Sequence, residues 1–423
     1  MRQFIIFIAL FIAGSTYCIA QNDVENDFEK FKRQREEEYK DFAKEQKKKQ
    51  DEQSDELLNF LKMSKEEYAL YEKRAMEEYA RYEKRAKEEY QNYVNSIKKI
   101  WGNNNVADNT KEEWVEYGKD NRSRTIVDFE NGDIVVEVAI NQDKDNKKEI
   151  DKELEIAVEN LLKSKGKTCP YESTVDVSKD LTKKPVLDNL VDYSEYSKNG
   201  AKINENNKKE LAKTIVKQST PQKQTIVGGD GEKRVVAKIE MKMVPNRLSK
   251  NAALYKDMVQ SNSNRFNIEQ PLIYAIMEQE SNFNPSATSW VPAYGLMQLV
   301  PKFGGYDAYL YVYKRGWVPT KSYLYQADKN IELGTAYLKI LMNQFSKVTD
   351  AECRRLCVIA SYNTGAGNVS RAFTGKTNVN SAIKIINTMS YSQLYNHLIR
   401  NLNSSEARNY VKKVSERRDK YMR

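Results

Sequence analysis

Gln270-Pro271-Leu272-Ile273-Tyr274-Ala275-Ile276-Met277-Glu278-Gln279-Glu280-Ser281-Asn282-Phe283-Asn284-Pro285 is the stretch on which the reading of the chain turns. Pro271 suits the first turn of a helix, where its missing N–H costs nothing. Ile273, Ile276, Met277 and Glu280 then fall at i, i+3, i+4 and i+7, so an acidic residue sits on the apolar stripe of its own helix. A carboxyl held against hydrocarbon resists ionisation, and its pKa should rise toward neutrality, as a general acid requires. Glu278 points nearly the opposite way and is expected to matter far less to any chemistry. Periodicity alone also allows a plainer reading, a Glu at a helix end reaching solvent past Ser281 and Asn282.

Three further motifs lie downstream: Gly295-Leu296-Met297-Gln298, Ser361-Tyr362-Asn363-Thr364-Gly365 and Arg408-Asn409-Tyr410-Val411, with Ser289 ahead of them. In this order and spacing, Asn246 to Arg423 resembles the family 1 lytic transglycosylases, lysozyme-like enzymes that cut peptidoglycan. The resemblance implies an α-helical lysozyme-like catalytic domain over 246–423, with Glu280 as its acid/base. It implies substrate-binding roles for Ser281, Ser289, Gly295, Met297, Gln298, Tyr362, Asn363 and Tyr410. Ser289 would hold the sugar and its N-acetyl group, the Gly295–Gln298 loop would line the cleft, and Tyr410 would stand near the acid. Ser361 occupies a position where Ala is common, and Ala407 one where Thr is common. Packing is the alternative reading for each carried residue.

Glycosidases usually need two carboxylates. The intervals Ser281–Lys302 and Val358–Phe373 contain no Asp or Glu. An enzyme with one carboxyl must borrow its nucleophile from the substrate. The resemblance thus implies that the N-acetyl carbonyl of N-acetylmuramic acid steadies C1 while the sugar's own 6-hydroxyl attacks, giving a 1,6-anhydro end with no cofactor and no metal. The competing readings are a hydrolytic muramidase and a non-catalytic, glycan-binding envelope scaffold.

The whole chain fits this frame. Its 423 residues suit two or three domains. With 40% apolar and 30% charged residues and a mean hydropathy of −0.77, a protein of several membrane spans is excluded. Many Tyr (27) beside few Gly (17) and Pro (9) favour long helices over a β-sandwich. Lys and Arg exceed Asp and Glu by 69 to 60, and 246–423 holds 24 basic against 12 acidic residues. That part should favour a polyanion: nucleic acid, an acidic membrane surface or an acidic glycan.

The N-terminus narrows the choice. Arg2, the apolar run Phe4–Ala13 and the small residues Cys18 and Ala20 read as a signal peptide over 1–20, cut before Gln21. Lipid attachment through Cys18 is the rival, which Tyr17 disfavours. The expected location is the periplasm or cell envelope, peptidoglycan glycan strands are the expected partner, and nucleic acid drops out. Cys353 and Cys357, one helical turn apart, are open to a disulfide, a metal pair or packing; with one His in the chain, a metal site is not expected.

Over 21–101 the sequence is charged and helical. Glu66-Glu67-Tyr68, Glu77-Glu78-Tyr79 and Glu88-Glu89-Tyr90 recur every eleven residues, and Tyr68, Tyr71, Ala75, Tyr79, Tyr82, Ala86, Tyr90, Tyr93 and Ile97 step 3-4-4 along one face. Such a repeat keeps the stripe nearly straight along a helix spanning 57–101. A spacer and a self-associating or partner-binding face are equally open. An Asn-rich linker, Asn103–Thr110, leads to a small α+β accessory domain over 102–245. Its elements are a hairpin over Arg124–Ile140 turning at Asn131-Gly132, an amphipathic helix over Glu149–Lys165 and a strand over Lys233–Val244. The layout resembles the membrane-bound lytic murein transglycosylase C family. The fold class expected is therefore α+β multidomain.

Overall fold

The computed structural model describes residues 65–167, 180–197, 207–290 and 292–422. The signal-peptide reading, Cys18, the part of the helical region over 21–64 and Cys169 lie outside them, as do the side chains of Tyr68 and Tyr71. The molecule is helix-rich with one small antiparallel sheet, the α+β architecture expected.

Helix α1 runs unbroken from Lys65 to Trp101. It leads into strands β1 (Glu113–Tyr117), β2 (Ser123–Asp128) and β3 (Asp133–Asn141), then helices α2 (Lys147–Lys163) and α3 (Lys208–Gln218), and strands β4 (Gln222–Val227) and β5 (Lys233–Lys242). The five strands form an antiparallel sheet in the order β1-β2-β3-β5-β4. Alternation assigns the faces. Val136, Val138, Val235, Ala237 and Ile239 pack beneath α2 and α3, whereas Ala139 and Val236 point to the other side. The apolar stripe of α2 is buried throughout: Ile150, Leu154, Ala157, Val158, Leu161 and Leu162. Asn146 caps its N-terminus by accepting from Glu149 N at 3.0 Å.

The free face of the sheet receives the end of α1. Ile97 and Trp101 are buried against Ala139, Ile226 and Val236. The Arg124 guanidinium stacks 4.1 Å over Trp101, whose indole N–H donates to Asn121 O at 2.6 Å. Arg234, 3% exposed, pairs with Asp230 and donates to Lys99 O at 3.2 Å, a cation placed where the helix dipole favours one. Farther up the same stripe, Ala75, Tyr79 and Tyr82 pack on Tyr306 and Val318, and Lys302 reaches Glu83 at 3.1 Å. The Tyr face is thus laid against this chain's own domains. Ala75, Tyr79, Tyr82, Ile97 and Trp101 are buried in this way, while Ala86, Tyr90 and Tyr93 are only partly covered.

The C-terminal region is all helix. Helices α4 (Arg247–Leu254), α5 (Lys256–Phe266) and α6 (Gln270–Ser281) precede a π-helical turn at Pro301–Gly305. Then come α7 (Tyr306–Tyr313), α8 (Lys321–Tyr325), α9 (Ala327–Gln344), α10 (Ala351–Thr364), α11 (Ala366–Thr374), α12 (Val379–Ile386), α13 (Tyr391–Asn401) and α14 (Ser405–Tyr421). Helix α9 is buried on almost every side, the mark of a central helix that others wrap. Cys353 and Cys357 are free thiols buried in this core, so packing is the reading that holds for the pair.

Candidate active site

Helix α6 buries Ile273, Ile276 and Met277 completely and carries Glu280, half-buried, at its last turn. Asn282 (φ 48°) and Phe283 (φ 66°) then adopt left-handed backbone in succession, a conformation costly for a bulky residue. Phe283, fully buried, is locked in place by its packing, and the chain turns sharply away from the carboxyl. The Tyr410 hydroxyl, reaching across from α14, donates to Glu280 Oε1 at 2.6 Å. Desolvation raises the Glu280 pKa; the Lys111 charge and the Tyr410 hydrogen bond pull it down, and the Glu406 charge pushes it up. Burial, then the Glu280 charge, holds the Tyr362 and Tyr410 hydroxyls well above the ordinary phenol range, so both remain donors.

The loop over 286–299 is welded to this helix. The Ser281 hydroxyl, fully buried, lies 3.0 Å from Met277 O and 2.8 Å from Leu296 O, its one proton shared between them. The hydroxyl faces inward and ties the end of α6 to the loop. Met297 is likewise buried, its side chain against Gly334, where an added Cβ would collide with it. Its backbone is what meets the site, since Met297 O accepts from the Tyr362 hydroxyl at 2.8 Å. Gly295, at φ +77°, passes so close to Leu324 O and Asn330 that no side chain fits there. Gln298 donates from Nε2 to Ala287 O at 2.9 Å and to Gly295 O at 3.0 Å, while its buried Oε1 has no protein partner. Ser289 is half-buried at the loop's edge and accepts from Ala293 N at 3.3 Å. Asn363, beside Tyr362 on α10, donates to Glu406 at 3.1 Å.

Glu280, Tyr362, Asn363 and Tyr410 thus come from α6, α10 and α14 to one place, and the loop that carries Gln298 joins them through Met297 O. Glu278 leaves the same helix as Glu280, two residues earlier. It is 6% exposed, and it binds Arg417 at 3.1 Å, Lys420 at 3.4 Å and the Tyr421 hydroxyl at 2.6 Å. It faces away from Glu280, as periodicity requires, but into α14 and not toward solvent.

Three residues of the site carry no motif that reading could find. Asn330, fully buried on α9, accepts from Met297 N at 2.7 Å and donates to Tyr294 O and Leu324 O, shaping the loop. Glu406 stands within electrostatic range of Glu280 although it lies outside the Ser281–Lys302 and Val358–Phe373 intervals. Lys111 comes from the segment just past the linker; its signal, a lone Lys among Asn, Thr and Glu, is too common to single out.

Residues 257–385 match the family described as Transglycosylase SLT domain, and residues 79–253 match the N-terminal domain of membrane-bound lytic murein transglycosylase C. The chain is 32% identical to membrane-bound lytic murein transglycosylase C of Edwardsiella ictaluri, over 78% of its own length and 87% of that protein's. It is 32% identical to the protein of the same name from Pectobacterium atrosepticum, over 78% of the chain and 88% of the relative. Among solved structures, the 70 kDa soluble lytic transglycosylase of Escherichia coli aligns with 42% of this chain and 26% of its own, at 25% identity and a TM-score of 0.31. On the length and identity of the first two matches, the chain belongs to the membrane-bound lytic murein transglycosylase C family: it is a lytic murein transglycosylase, an enzyme that acts on peptidoglycan.

Proposed function

We propose that this enzyme cleaves the β-1,4 bond between N-acetylmuramic acid and N-acetylglucosamine without water, leaving 1,6-anhydro-muramyl ends. The observation that carries the reading is the desolvated Glu280 carboxyl with the Tyr410 hydroxyl on its Oε1. Glu280, protonated, gives its proton to the leaving glycosidic oxygen as the C1–O bond breaks. The N-acetyl carbonyl oxygen of the muramic acid residue steadies C1. The Glu280 carboxylate then takes the proton of the 6-hydroxyl as that oxygen bonds to C1, which returns the acid to its starting form. No atom is gained from solvent. Tyr410 supports both halves: it fixes the carboxyl and supplies a hydrogen bond that is strongest when the charge is present. Gln298, Ser289, Tyr362 and Asn363 are assigned to hold the sugar. The division into a helical region (21–101), an accessory domain (102–245) and a catalytic domain (246–423) belongs to the same proposal.

A second reading has one observation in its favour. Glu406, held by Asn363, is a carboxylate in the right neighbourhood to activate a water, which would make the enzyme a hydrolytic muramidase. Mass spectrometry of digested sacculi separates the two, because the anhydro product is one water lighter. We expect anhydro ends from the wild type and from Glu406→Gln. Reducing ends that vanish in Glu406→Gln would replace the lytic reading with the hydrolytic one.

The work site is assigned to the cell envelope, where the relatives' names, "membrane-bound", put those proteins. No helix among the described residues is long and apolar enough to cross a membrane.

A further inference from the structure

Asn109, Thr110 and Lys111 run along the rim of the loop that follows Glu280. Thr288 N donates to Thr110 O at 3.1 Å, Ser286 Oγ to Asn109 Oδ1 at 3.3 Å, and Asn284 Nδ2 to Lys111 O at 3.3 Å. The other side of the strap is fastened to the sheet: Val115 N donates to Asn109 Oδ1 at 2.7 Å and Glu113 N to Thr110 Oγ1 at 2.9 Å. These bonds hold Lys111 by its backbone. Its ammonium takes no part in them, and it comes near enough to Glu280 for the two charges to act on each other.

We propose that Lys111 is a positioning residue of the reaction, lent to the catalytic carboxyl by the accessory segment: its ammonium stabilises the negative charge left on Glu280 when the proton has gone to the leaving oxygen. The proposal rests on the acid–base role assigned to Glu280 above. Around that carboxyl stand Tyr410 and Glu406 from α14, Tyr362 from α10 and Lys111 from the strap. Tyr410 brings a donor, Glu406 an opposing charge and Lys111 a favourable one. Arg417 acts on Tyr410 from the far side but is engaged by Glu278 and Gln279. A carboxylate formed in a desolvated site beside a second carboxylate is costly, and a cation offsets that cost far better there than it could in water. Without Lys111, Glu280 would be a weaker acid.

The test is Lys111→Met in the full-length enzyme, with Lys111→Arg beside it. Methionine keeps length and leaves the Asn284 bond to the backbone intact, so the thermal midpoint should hold. The expected result has two parts. At low pH the plateau of kcat/KM falls roughly tenfold, a modest part of what acid–base catalysis supplies. The basic limb, where Glu280 loses its proton, moves to higher pH, because removing a positive charge strengthens the carboxyl's hold on that proton. Lys111→Arg should restore both. A basic limb that stays in place in Lys111→Met, whether or not the plateau falls, overturns the proposal, as does failure of Lys111→Arg to restore it. Failure of the underlying reading looks different: Glu280→Gln would keep its activity whatever Lys111 does, and both proposals would fall.

Discussion

Glu278 and Glu280 leave the same helix two residues apart and meet opposite surroundings along the contact between α6 and α14. The first is wedged among Arg417, Lys420 and Tyr421 near the C-terminal end of α14. The second meets the Tyr410 hydroxyl and the Glu406 charge about two to four turns earlier on that helix, with the Tyr362 phenol of α10 beside it. Two cations neutralise Glu278 and leave it nothing to do but hold helices together. Burial outweighs the Lys111 charge and the Tyr410 donor and keeps Glu280 inclined to carry a proton. Identical side chains thus become a structural clasp and a candidate acid through what the facing helix presents, and residue type alone could not have separated them.

The largest effect should come from breaking the second environment. Glu280→Gln keeps the size of the side chain and removes the titratable proton. We expect release of anhydro-muropeptides to fall by at least the ~10²–10⁴-fold that general acid–base catalysis is worth, with glycan binding kept. Near-wild-type turnover would erase the distinction between the two carboxylates.

Breaking the first environment should show in stability. Glu278→Ala takes the buried partner from Arg417, Lys420 and Tyr421, and because the two cations reach solvent the expected loss is about 1–3 kcal/mol. Thermal or denaturant unfolding would measure it, while activity per folded molecule should change little. Glu278 is accordingly no inert control for Glu280, and the exposed Glu416 of α14 serves better. A Glu278→Ala protein of normal stability but no activity would mean that the two pockets are one.

The smallest effect sharpens the comparison. Tyr410→Phe removes the donor to Glu280 Oε1 and should cost about tenfold in kcat, in line with the ~1.5 kcal/mol of a hydrogen bond to a charged group. The hydrogen bond lowers the Glu280 pKa, so its loss should carry the basic limb of the pH profile upward. A limb that moved downward would contradict the arrangement described.

How much of this could be read beforehand depended on whether the signal was local. The stripe of α2 and the alternation of β5 were legible because burial on one face repeats at 3.6 or 2 residues whatever the partner is. Glu280 was legible for the same reason, together with motifs lying within a few residues of one another. The clasp at Glu278 was not, since its partners lie 139 residues or more away and nothing near Glu278 announces them. Ser281 and Met297 sit inside the motifs, yet their side chains turn inward: a motif marks a backbone path and does not say which side chains face the cleft. Lys111 and Asn330 reach the site only through tertiary packing. The Tyr stripe of α1 was plain in the sequence, but an apolar face says that something covers it and not what.

That helix has a mechanical consequence. It is fastened at Tyr79 and Tyr82 to Tyr306 and Val318, and about 28 Å farther on, at ~1.5 Å per residue, Trp101 is sunk into the sheet. A rod pinned at two points is a splint. Parting the sheet from the C-terminal helices along this line would strip one set of aromatic rings into water, so the helix resists their separation.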